Sequence, residues 1–79
     1  MRIQVLFFGA TAGVIGRRRL ELDVADAAKA DAVFEQLLAE YPQLAAHKLL
    51  YSINRDYATG DEIVSEGDEL AVFTAVSGG

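Results

Sequence analysis

Cysteine is missing from this chain, and proline and histidine each occur once, at Pro42 and His47. Without cysteine there is neither a disulfide nor a thiolate zinc site, so any sulfur chemistry must run on something other than a thiol side chain. A lone histidine gives a metal too few ligands, and His47 reads as a surface residue. No apolar run approaches the roughly 18 residues of a membrane span. The opening MRIQVLFFGA is too short and too alternating for a signal peptide, and the expected location is the cytoplasm. Positive charge is scarce as well. The formal net charge is −5, and the only basic cluster is Arg17 to Arg19. That excludes nucleic acid as a partner, because a phosphate backbone needs a basic face, and the cluster reads as a solvated strand edge. GATAGVIG lacks the Lys-Ser/Thr of a phosphate-binding loop, and GDEIVSEGDEL lacks the ligand spacing of a calcium loop. The body of the chain holds no set of nucleophile, base and orienting group.

What is present is apolar. Of 79 residues, 52% are hydrophobic, enough for one packed domain over residues 1–79 and far too many for a disordered acidic segment. RIQVLFF, at residues 2–8, reads as a strand, and Gly9, Gly13 and Gly16 punctuate what reads as a loop. RRRLELDV then alternates, with Leu20, Leu22 and Val24 on one face and Arg19, Glu21 and Asp23 on the other. Ala30, Val33, Phe34, Leu37, Leu38 and Tyr41 follow helical spacing, with Asp26 or Asp31 near the positive end and Pro42 as the stop. LLYSIN is a third strand, RDYATGDEIVSEGD a turn-rich stretch holding one very short strand, and ELAVFTAV the last strand. One helix covers one face of a sheet, and the two apolar terminal strands belong in its centre, side by side. The expected fold is therefore α+β, a β-grasp with a mixed sheet gripping one main helix.

Alternation then predicts an outer face. If Ile3, Val5, Phe7, Leu70 and Val72 pack on the helix, Leu6, Phe8 and Phe73 emerge on the other side. Exposed aromatic groups of this kind mark an interaction site, unless Val14, Ile15 or Tyr57 folds over them. From Phe73 the chain runs on through a tail, residues 74–79, to Gly78 and Gly79. Two glycines make the tip as thin as a polypeptide can be, able to thread a narrow channel with its carboxyl carbon uncovered. A carboxylate is a poor electrophile, but joined to AMP it becomes a mixed anhydride open to attack, for which a partner enzyme must supply ATP.

RIQVLFFG, KLLYSIN and EGDELAVFTAVSGG together resemble the ubiquitin-like sulfur carriers of MoaD/ThiS type, and among them the small subunit of molybdopterin synthase. The resemblance spans nearly the whole chain and keeps element order. It implies that an E1-like adenylyltransferase activates Gly79, that a sulfur donor system converts it to a thiocarboxylate, and that Gly78 gives it access. The sulfur would pass to a pterin precursor in the active site of the synthase large subunit, with the two subunits forming a heterotetramer. The chain itself would be non-catalytic and bind no cofactor, ATP being used by the activating enzyme. Carried over by position, the partner interface would comprise Phe8, Tyr57, Phe73, Val76 and Ser77. The family commonly has Pro-Pro after the last strand, where this chain has Thr74-Ala75. A carrier for thiamine thiazole synthesis, a ubiquitin-like protein modifier and a β-grasp binding module are the alternatives.

Overall fold

A strand that is apolar on both sides needs neighbours on both edges, and the two terminal strands receive them. In the computed structural model, which describes residues 1–75, β1 (Arg2–Phe7) is followed by α1 (Ala10–Ile15), β2 (Arg19–Asp23) and α2 (Ala30–Glu40). A 3-10 turn, Pro42–Ala46, leads to β3 (Leu49–Ile53), β4 (Asp56–Tyr57) and β5 (Glu69–Thr74). The five strands lie in the order β2-β1-β5-β3-β4. β1 and β5 run parallel at the centre, Val5 beside Leu70 and Phe7 beside Val72, and the other pairings are antiparallel. The sheet is mixed and grips α2, which is the β-grasp arrangement. Ile3, Val5, Phe7, Leu70 and Val72 are buried together with Val33 and Leu37 of α2, as alternation predicts. Each such aliphatic or aromatic side chain, fully buried, contributes about 1.5–3 kcal/mol.

The stretch GATAGVIG is a helix and not a loop. Gly9 (φ 60°) and Gly16 (φ 79°) mark its two ends, in left-handed conformations that β-carbons disfavour, and the Gly16 N–H closes the last turn on Ala12 O at 2.8 Å. Read as loop punctuation, these glycines hide the six residues between them. α1 is fastened by Thr11, whose buried hydroxyl sits 2.6 Å from Phe8 O and 3.0 Å from Val72 O, tying the helix to β1 and β5.

α2 starts at Ala30, and of the two acidic residues expected near its positive end one is there. Asp26 does not serve it; its carboxylate lies 3.5 Å from the N-terminal ammonium, while Asp31 occupies the first turn. The N-cap, Lys29, makes no side-chain cap bond. Instead the first amides borrow carbonyls from the turn-rich stretch: Ala30 N–H donates to Glu62 O at 2.8 Å and Asp31 N–H to Gly60 O at 3.0 Å. Pro42 ends the α-helix as the sequence predicts and opens the 3-10 turn. β5 runs on past Phe73: Thr74, read as the first residue of the tail, pairs with Leu49, and Ala75 N–H donates to Lys48 O at 2.9 Å.

Candidate functional site: the outer sheet face

The sheet face opposite α2 is built by register. Leu6 pairs with Arg19 on one side and Ala71 on the other, Ala71 with Ser52, and Ser52 with Tyr57, giving one row across all the strands. Two residues further along β5, Phe73 pairs with Leu50. On the other flank the chain leaves β1 at Phe8, whose N–H donates to Val72 O at 3.0 Å. The first row runs from the β2 edge to the β4 edge, and the second lies on β5 and β3, at the end of the sheet where β5 leaves it.

Several of these side chains stand in solvent. Phe8 is 52% exposed, Leu50 43% and Tyr57 74%. Phe73 is half-buried, because the Tyr57 ring packs edge-on against it with centroids 5.9 Å apart. Tyr57 therefore covers part of the face, while Val14 and Ile15 lie in α1 and pack against the main core. Two hollows flank the patch. A cleft of about 590 Å³ is lined by Leu6, Phe8, Arg18 and Arg19, among others. A smaller one of about 230 Å³ is formed by Ser52, Arg55, Tyr57 and Phe73.

Sequence reasoning placed Phe8, Tyr57 and Phe73 on this face, and the structure brings the three to it. Val76, Ser77, Gly78 and Gly79 lie outside the described residues. Leu50 and Arg55 were not foreseen. Tyr51 points to the helix side, where its ring stacks on Phe34 with centroids 4.3 Å apart. Alternation through LLYSIN then sends Leu50 outward. Arg55 sits in the two-residue β3–β4 turn with Asn54, both at positive φ (49° and 75°), a geometry in which glycine is preferred to arginine.

The two sides of the molecule differ in charge. Burial raises the Tyr51 phenol pKa, and the carboxylates of Asp31, Glu62 and Glu35 on that side raise it further. Glu62 accepts backbone N–H bonds from Thr59 at 2.7 Å and Gly60 at 2.9 Å, and these, Thr59 foremost, hold its pKa below the ordinary 4.5. Asp68 accepts Ser65 N–H at 2.8 Å, and Glu66 accepts Arg2 N–H at 2.6 Å. Glu62 and Asp68 thus serve their own turns, and Glu66 ties the stretch to the start of β1. Among the described residues no group of three or more His, Asp or Glu side chains is gathered to hold a metal ion, and no helix is long and apolar enough to cross a membrane.

Comparison with known proteins bears on what this face does. The ThiS family matches residues 5–79. The molybdopterin synthase sulfur carrier subunit of Haemophilus influenzae is 37% identical, over 98% of this chain and 99% of its own. That of Homo sapiens is 28% identical, over 99% and 94%. Among solved structures, Haloferax volcanii small archaeal modifier protein 1 matches with a TM-score of 0.84 at 25% identity, covering 95% of this chain and 98% of that one.

Proposed function

The chain belongs to the ThiS family, and from that membership we propose that it is the sulfur-carrier subunit of a molybdopterin synthase. In this reading Gly79 is the working residue. An E1-like enzyme joins its carboxylate to AMP, releasing pyrophosphate from ATP. A sulfide-level donor then attacks the acyl carbon and AMP leaves, giving the thiocarboxylate. Docked on the large subunit through the outer face, the chain delivers that sulfur to a pterin precursor. Gly78 keeps the approach to the acyl carbon open.

The observation that carries the reading is the continuity of β5. A central strand contributes Phe73 to an exposed apolar patch, and Ser77, Gly78 and Gly79 follow it in the chain within a few residues, so docking and delivery fall on one short run of sequence. The relatives bearing the synthase-subunit name align over nearly their full length, which favours the pterin over the thiazole pathway.

Incubated with the E1-like enzyme, ATP and a sulfide donor, the intact chain should change mass by one oxygen-to-sulfur replacement at the C-terminus. Deleting Gly79, or appending residues to it, should abolish the change and leave thermal melting as it was. Sulfur uptake by the appended chain would sink the reading. The likeness to a small archaeal modifier protein favours a second reading, attachment of Gly79 to lysines of other proteins. Under denaturing, reducing conditions a carrier appears as free protein. A ladder of heavier adducts that vanishes on deletion of Gly79 would put the modifier reading first.

A further inference from the structure

The chain is acidic overall, yet its cations are not scattered evenly. Of seven Lys and Arg residues, Arg17, Arg18, Arg19 and Lys48 border the outer face near the exit of β5, and Arg55 borders it from the β3–β4 turn, at the Glu69 end of that strand. Arg19 stands opposite Leu6, and Arg18 and Arg19 line the cleft beside Phe8. Lys48 immediately precedes β3, and its carbonyl holds Ala75. Arg55 lines the hollow beside Tyr57 and Phe73 on the opposite flank. The carboxylates gather elsewhere: Asp31, Glu35 and Glu62 around Tyr51 on the helix side, and Glu21 and Glu69 beside Gln4, at the end of the outer face far from that exit.

Ion pairing follows the same division. Among the described residues the ion pairs gather at Met1 and Arg2, with Asp26, Glu21 and Asp23, and none engages Arg17, Arg18, Arg19 or Arg55. Arg55 moreover holds a left-handed conformation that glycine adopts more readily than arginine. A charge kept at such a position is a reason to look for its use.

We infer that this face docks a protein whose receiving surface has an apolar floor bordered by carboxylates, and that the arginine rim steers the two together. The apolar rows supply the contact that persists. The rim raises the encounter rate and fixes orientation, since the acidic helix side is repelled by the same surface. Attraction of a net acidic chain to an acidic border is possible because charges interact over roughly a Debye length, about 8–10 Å, and the nearest ones dominate.

The choice of titrant rests on the carrier reading, and the test is stopped-flow association of the full chain with the synthase large subunit of the same organism. Arg19→Glu and Lys29→Glu change net charge equally, one on the outer face and one at the start of α2. At low salt Arg19→Glu should slow association about five-fold or more, shrinking toward no effect at about 0.5 M salt, with dissociation changed by less than about two-fold. Lys29→Glu should associate within about two-fold of the parent rate. Arg55→Gly should melt higher and yet associate more slowly, a split that a role confined to the turn would not produce. Equal rates for Arg19→Glu and Lys29→Glu overturn the rim, while binding of the unaltered chain leaves the carrier reading standing.

A second arm needs no partner. Titrated with polyglutamate at low salt and followed by amide chemical shifts, the chain should respond at residues 17–19, at Arg55 and along the outer face. Such a response, without binding to the large subunit, retires the subunit assignment and keeps the rim. No response, or one centred on Arg2 and Lys29, overturns the rim. A salt-sensitive dimer in sedimentation, lost in Arg19→Glu, overturns it too, because the occupant is then the acidic side of a second copy.

Discussion

The two central strands each carry a phenylalanine, and the two have opposite duties. Phe7 is buried in the core between the sheet and its helices, whereas Phe73 faces outward with the Tyr57 ring edge-on against it. Phe7→Asp buries an unpaired carboxylate and should cost about 4 kcal/mol or more, enough to unfold so small a domain. Phe73→Asp loses a half-buried aromatic contact, worth about 1–2 kcal/mol, and the chain should stay folded. Binding to the large subunit should nonetheless weaken by about 100-fold or more. Thermal melts of both variants and a titration of Phe73→Asp check this. If the two melt alike, the face belongs to the fold and not to docking. At this scale the sequence was readable wherever alternation is strict, which is why Ile3, Val5, Phe7, Leu70 and Val72 were assignable to the core. It was less readable at Phe73, because contact with Tyr57, which lies two strands away across β3, is set by register and not by local pattern.

Among the elements, the central pairing of the two terminal strands and α2 were legible because each rests on an apolar pattern several residues long. α1 was not, since a six-residue helix bounded by glycines has too few positions to show a period. The origin of α2 was hidden for another reason. Its first amides are satisfied by the 60–62 backbone, a contact made across about thirty residues of chain. Glu62 holds that stretch by accepting two amides, and its lowered pKa makes the bond pH-dependent. A depressed carboxylate stabilises fully above the unfolded value and loses that contribution as pH falls through the lower folded value. Glu62→Gln should therefore be less stable than the parent above about pH 5, with the gap in melting temperature narrowing below about pH 4. A gap that stays constant across that window would show that Glu62 acts through something other than its charge.

For the molecule as a whole, the helix and the carboxylates around Tyr51 occupy one side, and the apolar rows with the arginines beside them occupy the other, with Glu21 and Glu69 at its far end. The polarity follows from economy of chain, since one helix of eleven residues and a six-residue companion cover a single sheet face. The bond from Ala75 N–H to Lys48 O has a consequence for distance. A proline at that position has no N–H to donate, and the ladder would stop sooner. With Ala75 fastened, four residues of sequence lead to Gly79, a length of chain that spans at most roughly 14 Å by any path. An acceptor farther than that from the strand end is out of range once the face has docked, whatever its chemistry. One within range meets the terminal carboxyl at an effective concentration in the millimolar range or above. The last hydrogen bond of the sheet is in this sense a ruler, set by the residue that closes it.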